Sequence, residues 1–397
     1  MAKIGILNLT SPVSTGGVFQ YIMTLTESLK NNSRHEYLVF HEGQEFKKLH
    51  LDSKNCKLIS FSSNEKTISK IIRKASTLLD VKSPLLGKYR ALKNYKLDLL
   101  INPVSSLIGF HLKLPYIVVI YDVMHRYYPG FPEYPYIERI KRDLLYKRTA
   151  QHSIFTIVDS NRSKDDLVRF YKIEKEKIKV IPYYPSSYVF KHKNLEESFV
   201  KEVINKYNIP DKFIFYPAQF WHHKNHLRLV ESIQLLKEKY NVEISAVFIG
   251  SPKRDSKGIL TKITKLIEEL KVHEQILYLG YLSEQEVIAL YKKATALVFP
   301  SLIGPTNIPP LEAMVLGTPV VCSNLFSMPE QIGTAGLLFD PRNVEDMAEK
   351  IYRIWMDEDL RQELIKKGHD KVKDMSLENY AKRWERIIEE ALGLAKR

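Results

Sequence analysis

Cysteine is scarce in this sequence of 397 residues, which contains only Cys56 and Cys322. The two lie far apart, and Cys322 falls in a predicted core strand, so the pattern excludes a disulfide framework and favours a reducing cytosol. No apolar run approaches the roughly 20 residues that span a membrane, and the first residues lead into a predicted strand rather than a signal peptide. We therefore expect a cytoplasmic globular protein, long enough for two domains.

Acidic residues are outnumbered, because 46 Asp and Glu stand against 60 Lys and Arg, which leaves a formal net charge of +14. Such an excess indicates an anionic partner: a nucleic acid, an acidic membrane surface or a phosphorylated substrate. The sequence has neither zinc-ligand spacing nor an aromatic RNA-recognition motif, so we expect no nucleic-acid partner.

The most informative stretch is residues 300–319, PSLIGPTNIPPLEAMVLGTP. The apolar runs on either side of it predict buried strands, and its first half has the composition of a loop. Adjacent prolines suit a helix start, so we expect a helix from about Pro310 to Leu316, ended by Gly317. A strand, loop, helix and strand in this order are typical of a parallel α/β layer.

This loop and helix predict a nucleoside-diphosphate site. The helix-terminal N–H groups near Thr306, Asn307 and Ile308 attract anions, above all phosphate. We expect Glu312 in the first helical turn, where a carboxylate is repelled by phosphate but suits neutral hydroxyls such as those of a ribose. The alternative is that Glu312 only complements the helix dipole.

At this point the sequence resembles the donor-site signature of the family-4 retaining glycosyltransferases, which have the GT-B fold. The shared pattern is Pro-Ser, a loop, then Pro-x-x-Glu-Ala-Met-x-x-Gly-Thr-Pro-Val-Val. The family carries two glutamates at the spacing of Gly304 and Glu312, and the resemblance implies that Glu312 binds the nucleotide ribose. The other glutamate, which touches the transferred sugar in the family, is replaced by Gly304. Asn307 and Thr306 are candidates to take over its contacts.

A second glycine loop precedes a helix pattern that runs from Val18 to Leu29. Glycine allows the backbone to approach a ligand closely, although such loops are often simple turns. The resemblance implies that Gly16 and Gly17 face the donor phosphates or the acceptor.

Polar residues also follow the strand predicted at 116–121. Asp122 and His125 lie just past its end, where α/β sheets place ligands. The family often has a His-Asp pair here, and Tyr121 takes the place of that His. The resemblance implies that Asp122 and His125 position the acceptor or the donor sugar during catalysis.

A further polar loop lies between a strand predicted at 213–216 and a helix. The resemblance implies that Lys224 and Asn225 contact the donor, with Gln219 in place of a family Arg. A lysine is a suitable point charge for a leaving diphosphate, and the alternative is an ordinary solvated surface lysine. The histidines in this loop lack a Cys or carboxylate at ligand spacing, so we expect no metal and no cofactor.

Two more segments belong to the same pattern. Gly280 and Tyr281 follow a strand predicted at 276–279, and the resemblance implies that this loop holds the nucleotide base. Ser283 and Glu286 then form a predicted capping box.

Residues 55–95 are rich in Lys and Arg. An apolar helical stripe runs from Ile68 to Leu79, and the basic residues beside it are Lys66, Lys70, Arg73 and Lys74. An ordinary surface helix with its apolar side in the core has this pattern. The alternative is an interfacial helix that docks on anionic lipid headgroups.

Strand and helix patterns alternate in both halves, so we expect an α/β protein, and the resemblance implies the GT-B fold. Two Rossmann-like domains, 1–185 for the acceptor and 186–376 for the donor, are then expected to face each other across a cleft. An amphipathic helix within 377–397 is expected to pack back on the first domain.

The resemblance further implies a retaining, metal-independent hexosyltransferase with a nucleotide-sugar donor, GDP-mannose being our first choice. The expected acceptor is a glycan or a lipid-linked saccharide of cell-surface polysaccharide synthesis, on the inner face of an anionic membrane. The alternatives are a transferase that uses a UDP-sugar and a nucleotide-sugar-binding protein without catalytic activity.

Overall fold

The structure, a computed structural model, describes residues 1–8, 16–30, 34–42, 52–60, 67–83, 87–252 and 258–396. The chain forms two compact units. The first comprises Met1–Gly130, Tyr134–Pro182 and Leu377–Arg397, and the second comprises Phe131–Glu133 and Tyr183–Ser376.

The first unit is built on a parallel sheet of seven strands. These strands are β1 (Lys3–Asn8), β2 (Glu36–His41), β3 (Cys56–Ser60), β4 (Leu99–Asn102), β5 (Tyr116–Val119), β6 (Phe155–Val158) and β7 (Ile178–Val180). Their order in the sheet is β3-β2-β1-β4-β5-β6-β7. The direction of winding reverses between β1 and β4, and α/β sheets bind ligands beside the carboxyl ends of the strands at such a point.

Six of the described α-helices of the first unit lie before Tyr183 in sequence. They are α1 (Gly17–Leu29), α2 (Thr67–Leu79), α3 (Ile108–Leu112), α4 (Met124–Tyr127), α5 (Tyr136–His152) and α6 (Asn161–Tyr171). Ser160 is the N-cap of α6, because its side chain accepts a hydrogen bond from the Ser163 backbone N–H.

The second unit has a parallel sheet of six strands. These are β8 (Ile214–Pro217), β9 (Ala246–Ile249), β10 (Ile276–Tyr278), β11 (Ala296–Phe299), β12 (Val320–Ser323) and β13 (Leu337–Phe339). Their order is β10-β9-β8-β11-β12-β13, so the winding reverses between β8 and β11. All residues of β9, β11 and β12 are buried, as expected for strands covered by helices on both faces.

Nine described helices belong to the second unit. They are α7 (Ser187–His192), α8 (Glu197–Lys206), α9 (His226–Tyr240), α10 (Ile259–Glu269), α11 (Glu284–Lys293), α12 (Ile308–Leu316), α13 (Met328–Ile332), α14 (Val344–Met356) and α15 (Glu358–Val372). The predicted capping box is confirmed, because Ser283 accepts from the Glu286 backbone N–H and Glu286 accepts from the Ser283 backbone N–H.

The C-terminal helix α16 (Leu377–Ala395) returns to the first unit. It contacts α1, and its residue Trp384 is fully buried. The predicted α/β class, with two Rossmann-like sheets and a returning C-terminal helix, is therefore confirmed.

Some predicted boundaries were wrong. The helix expected from Pro310 begins at Ile308, because proline is well tolerated in the first helical turn and the helix extends ahead of it. The strand expected over 116–121 ends at Val119. Among the described residues, no helix combines the length and the apolar character needed to cross a bilayer.

Candidate functional site

Lys224 lies at the carboxyl edge of the second sheet. A short 3-10 turn, His222–Lys224, follows β8, and the Tyr216 hydroxyl donates to the Lys224 carbonyl at 2.6 Å. The Lys224 Nζ lies 5.1 Å from the centre of the ring of Phe299, the last residue of β11. The amine is therefore beside the point at which the sheet changes direction, where α/β proteins bind ligands.

Asn225 ties this turn to other loops of the same edge. Its Nδ2 donates to the carbonyl oxygens of Pro300 (3.2 Å) and Pro341 (2.7 Å), and its Oδ1 accepts from Arg228 Nη1 (3.1 Å). The residue is buried and has a left-handed φ of 61°. Because its amide already bonds to the protein, we infer that Asn225 acts by placing Lys224.

The residues around Asn225 supply one more cation than sequence analysis identified. Gln219, which replaces the family arginine, accepts a hydrogen bond from the Ser251 backbone N–H at 3.0 Å and so links the loops after β8 and β9. Arg228, in the first turn of α9, is half-buried and holds Asn225. Lys224 is therefore accompanied by a second positive charge in the same segment.

The first turn of α12 offers fewer donors than predicted. The Asn307 backbone N–H donates to Gln331 Oε1 at 2.9 Å, and Gln331 Nε2 donates to the Asn307 carbonyl at 2.7 Å. Pro309 and Pro310 have no N–H, so Ile308 is the N–H of this turn that remains suited to an anion. The Asn307 backbone N–H is therefore already bonded within the protein, and its contact with a phosphate stays a prediction. Thr306, beside it, is buried.

Gly304 has a conformation that explains why the family glutamate is missing. Its φ is +109°, which side-chain-bearing residues rarely adopt. A Cβ atom added there would lie 2.7 Å from Asn307 Oδ1. The Asn307 amide thus occupies the space where a side chain at position 304 would begin.

Glu312 lies in the second turn of α12 and not, as expected, in the first, because the helix begins earlier. It is buried, and the Tyr291 hydroxyl donates to its Oε2 at 3.0 Å. Burial raises the pKa of Glu312, while hydrogen bonds from Ser186, Tyr291 and Tyr188 oppose that rise. A carboxyl group in the second turn is poorly placed to complement the helix dipole, which weakens that alternative.

The loop after β10 combines a fixed backbone with an exposed ring. The Gly280 carbonyl accepts from the Gly250 N–H at 2.9 Å, and the Tyr278 hydroxyl donates to the Gly250 carbonyl at 2.9 Å. Gly280 has a φ of +73°, and the Tyr281 side chain that follows is 65% exposed. An aromatic face is therefore available at this end of the sheet.

In the first unit, Gly16 and Gly17 begin α1, while residues 9–15 lie outside the described part of the chain. Gly16 has φ 55° and ψ −132°, a conformation that essentially requires glycine. A Cβ atom added to either glycine would meet nothing within 4 Å. The described residues thus leave open space beside this backbone.

Asp122 and His125, predicted together, lie in different environments. Asp122 is half-buried, and its Oδ1 accepts from the Met124 N–H at 2.9 Å, which starts α4. His125 is buried, and its Nε2 lies 2.8 Å from Asp143 Oδ1. Burial lowers the pKa of His125, and the bond to Asp143 opposes that shift.

The Asp143 carboxylate binds two further groups besides His125. Arg126 Nε lies 2.7 Å from Asp143 Oδ1, and the Tyr171 hydroxyl donates to the same oxygen at 2.8 Å. His125 Nε2 therefore belongs to an internal network, while its Nδ1 is buried and has no hydrogen-bond partner among the described residues. The contact of His125 with a ligand stays a prediction.

The three neighbouring histidines have separate surroundings. His222 packs edge-on against Phe131, His223 bonds to Glu133, and His226 is fully buried, which lowers its pKa to about 3. Among the residues that the structure describes, no group of three His, Cys, Asp or Glu side chains is arranged to hold a metal ion.

No sequence pattern indicates the residues that surround Glu312 or His223. Ser186 and Tyr188 lie far from Glu312 in sequence. Glu133 follows Pro132, and its pairing with His223 joins parts of the chain that are remote in sequence. No local signal indicates either contact.

Comparison with known proteins identifies relatives of both the sequence and the fold. Residues 199–371 match the family described as "Glycosyl transferases group 1". The O-antigen chain mannosyltransferase B of Escherichia coli is 27% identical over 252 residues, which are 62% of this chain and 64% of that protein. The match thus spans less than two thirds of that relative.

Two solved structures share the fold over nearly the whole chain. A glycosyltransferase from Rickettsia africae ESF-5 is 21% identical, with a TM-score of 0.73 and 98% of each chain covered. Anabaena Alr3699/HepE in complex with UDP-glucose is 13% identical, with a TM-score of 0.76, and covers 98% of this chain and 100% of its own. At these identities the likeness concerns the fold, and the predicted GT-B fold is confirmed.

Proposed function

We propose that this protein is a retaining glycosyltransferase, because residues 199–371 match the family "Glycosyl transferases group 1" and the chain has the GT-B fold. It moves a hexose from a nucleotide sugar to a hydroxyl of a glycan or lipid-linked acceptor in cell-surface polysaccharide synthesis. The observation that carries the proposal is the placement of the Lys224 amine over Phe299, where β11 ends and the loop to α12 begins.

GDP-mannose is the proposed donor, because the similar Escherichia coli protein is named a mannosyltransferase. UDP-glucose is the second candidate, since the similar Anabaena protein was solved in complex with it. In either case the ribose binds near Glu312 and the base near Gly280 and Tyr281, whose exposed ring provides a stacking surface.

The proposed mechanism is front-face displacement. The bond from the sugar anomeric carbon to the diphosphate oxygen breaks, and the acceptor oxygen bonds to the same face of that carbon. The acceptor proton passes to an oxygen of the leaving diphosphate, so no enzymatic nucleophile is required. Lys224, with the Ile308 N–H, stabilises the negative charge that develops on the diphosphate.

The residues of the first unit serve the acceptor in this proposal. Asp122 accepts a hydrogen bond from a hydroxyl of the acceptor or of the donor sugar. His125 supports the segment that carries Asp122, because its ring is already bonded to Asp143. Gly16 and Gly17 leave room for substrate beside the start of α1.

A donor screen tests the proposal. The purified protein is incubated with GDP-mannose, UDP-glucose and other sugar nucleotides, and thermal shift and release of the free nucleotide are measured. We expect one donor to raise the Tm and to be slowly hydrolysed without acceptor. Binding without hydrolysis or transfer would support the non-catalytic alternative, and binding of none would refute the proposal.

The proposed acceptor lies at a membrane, and α2 provides the observation that favours it. Its apolar stripe is on the outside: Ile68 is 66% exposed and Leu79 is 70% exposed, whereas its buried side chains are Ser69 and Ser76. The interpretation of the stripe as a core face is therefore wrong. An exposed helix with apolar and basic residues is typical of proteins that lie on bilayers.

The neighbouring helix α5 extends this surface. It contacts α2, and Tyr136, Ile137 and Ile140 at its start are exposed. We call the exposed apolar side chains of the two helices the apolar face: Ile68, Ile71, Leu78, Leu79, Tyr136, Ile137 and Ile140. The exposed lysines of the two helices are Lys70, Lys74, Lys141 and Lys147, and the exposed Lys82 follows α2. Lys66 lies outside the described residues.

We expect the protein to bind anionic vesicles through this face, at the cytoplasmic side of a membrane. Changing Lys70 and Lys74 to glutamate is expected to lower the vesicle partition coefficient by at least about 30-fold, because each lost Lys contributes about 1 kcal/mol near an anionic surface and each new Glu is repelled by it. Co-sedimentation with phosphatidylglycerol vesicles and with phosphatidylcholine vesicles measures the change.

The matched control changes Lys262 and Lys366, which are exposed on helices of the second unit, to glutamate. It alters the net charge equally and should leave vesicle binding nearly intact. If the wild type ignores anionic vesicles at low salt, or if the control loses as much binding as the test variant, the membrane proposal fails.

A further inference from the structure

Glu133 has a carboxylate oxygen that no described residue uses. It ends the segment Phe131–Glu133, which belongs to the second unit. Its Oε1 accepts from the His223 backbone N–H at 3.2 Å and lies 3.1 Å from His223 Nδ1. Its Oε2 is buried and accepts no hydrogen bond from the residues that the structure describes. A buried acceptor in this state costs free energy, so it is suited to a ligand donor.

The carboxylate is held in place and ionised. Burial by itself would raise the pKa of Glu133, but hydrogen bonds and charge from His223 lower it to about 2. Phe131 packs edge-on against His222 with ring centres 5.2 Å apart, which fixes the segment on the 3-10 turn that carries Lys224. At neutral pH this side chain can only accept hydrogen bonds.

The same turn is bonded to the loop where the family glutamate is missing. The Leu302 N–H donates to the His223 carbonyl at 2.8 Å, two residues before Gly304. At Gly304 the left-handed φ and the nearby Asn307 amide disfavour an acidic side chain. Glu133 thus supplies a carboxylate beside the loops after β8 and β11, where position 304 carries glycine in place of the family glutamate.

We propose that Glu133 Oε2 accepts a hydrogen bond from a hydroxyl of the transferred sugar and so helps to select the donor. The proposal rests on the proposed glycosyltransferase function. A neutral sugar hydroxyl is the suitable ligand, because the diphosphate would be repelled by a carboxylate and is served by the nearby Lys224. The contact makes no covalent bond; it orients the sugar and rejects donors that lack the hydroxyl.

A cycle of one variant and a set of deoxy donors tests the contact. The wild type and Glu133→Gln are compared on GDP-mannose and on its 2-, 3-, 4- and 6-deoxy analogues, or on UDP-glucose and its analogues if that donor is used. Glutamine keeps an amide oxygen for His223 but replaces the accepting Oε2 with an NH2 group. Glu238→Gln, on the exposed side of α9, is the matched control.

We expect the wild type to lose about 10- to 100-fold in kcat/KM on one deoxy donor, the range for a hydrogen bond to a charged group. Glu133→Gln should lose a similar factor on the parent donor and show no further loss on that deoxy donor. The affinity for the free nucleotide diphosphate should remain at the wild-type value.

Other outcomes overturn the inference. An equal loss on every donor would make Glu133 a positioning residue for the Lys224 turn, and unchanged kinetics would give it no role. If the wild type binds donors without transfer, the same cycle run on Kd still decides about Glu133, while the transferase proposal alone fails. If it binds no sugar nucleotide, both fail.

Discussion

Lys224→Ala lowers kcat by about 10²–10³-fold in our expectation, the range found when one donor to a developing oxyanion is removed. The Lys224 amine lies at the carboxyl edge of the sheet, next to the Phe299 ring, where it can approach the diphosphate. The diphosphate gains charge as the sugar leaves, so the loss falls on turnover more than on donor binding. Initial rates over a range of donor concentrations separate kcat from KM.

Two variants sharpen this experiment. Lys224→Arg keeps the charge but changes its shape, and it should recover only part of the activity. Lys262→Ala removes an exposed lysine of the same unit and should leave the rate unchanged. If Lys224→Ala retains full activity, or if its activity depends on an added divalent metal, the proposed role of Lys224 is incorrect.

Glu312→Gln should weaken nucleotide binding about 10- to 100-fold, since a hydrogen bond to a charged group contributes roughly 1.5–3 kcal/mol. The substitution keeps the size of a side chain that is buried in contact with the Tyr291 hydroxyl. Glutamine can still accept from one hydroxyl, so the Tm should change little. Calorimetric titration with GDP and UDP measures the affinity.

A purely structural role for Glu312 would give a different result. The Tyr291 hydroxyl already donates to Glu312, and Ser186 and Tyr188 lie close enough to lower its pKa. Tyr291→Phe removes the hydroxyl that donates to Glu312 without touching the proposed ribose contact. It should lower the Tm and leave the nucleotide affinity nearly unchanged. If Glu312→Gln shifts the Tm and leaves the affinities for GDP and UDP unchanged, the carboxyl group has only a structural role, in contact with these three residues.

The sheet of the second unit was largely predictable because its strands are short apolar runs between loop signals. The apolar runs on either side of residues 300–319 are β11 and β12, as predicted. Parallel strands covered on both faces need apolar side chains throughout, so their sequence shows their limits. The helix after β11 was harder, since its two prolines fit the first turn at more than one position.

The direction of the α2 stripe was not predictable, because periodicity defines a helical face but not what covers it. Ile68 and Leu79 share a stripe in sequence, yet they are exposed while Ser69 and Ser76 are buried. The same limit applies to His125, whose position past a strand suggested a ligand but whose ring bonds to Asp143. In both cases the surroundings of the side chain depend on residues that are distant in sequence.

The return of α16 to the first unit affects the order in which the protein can fold. The first unit needs residues 377–397, which are synthesised after the whole second unit, 183–376. During translation α1 therefore waits for its partner helix while nearly all of the second unit becomes available and can fold. The pairing of α1 with α16 has a very long sequence separation, which is entropically costly and slow to form. A nascent chain that stops before residue 377 thus has a second unit able to form its core and a first unit that cannot close.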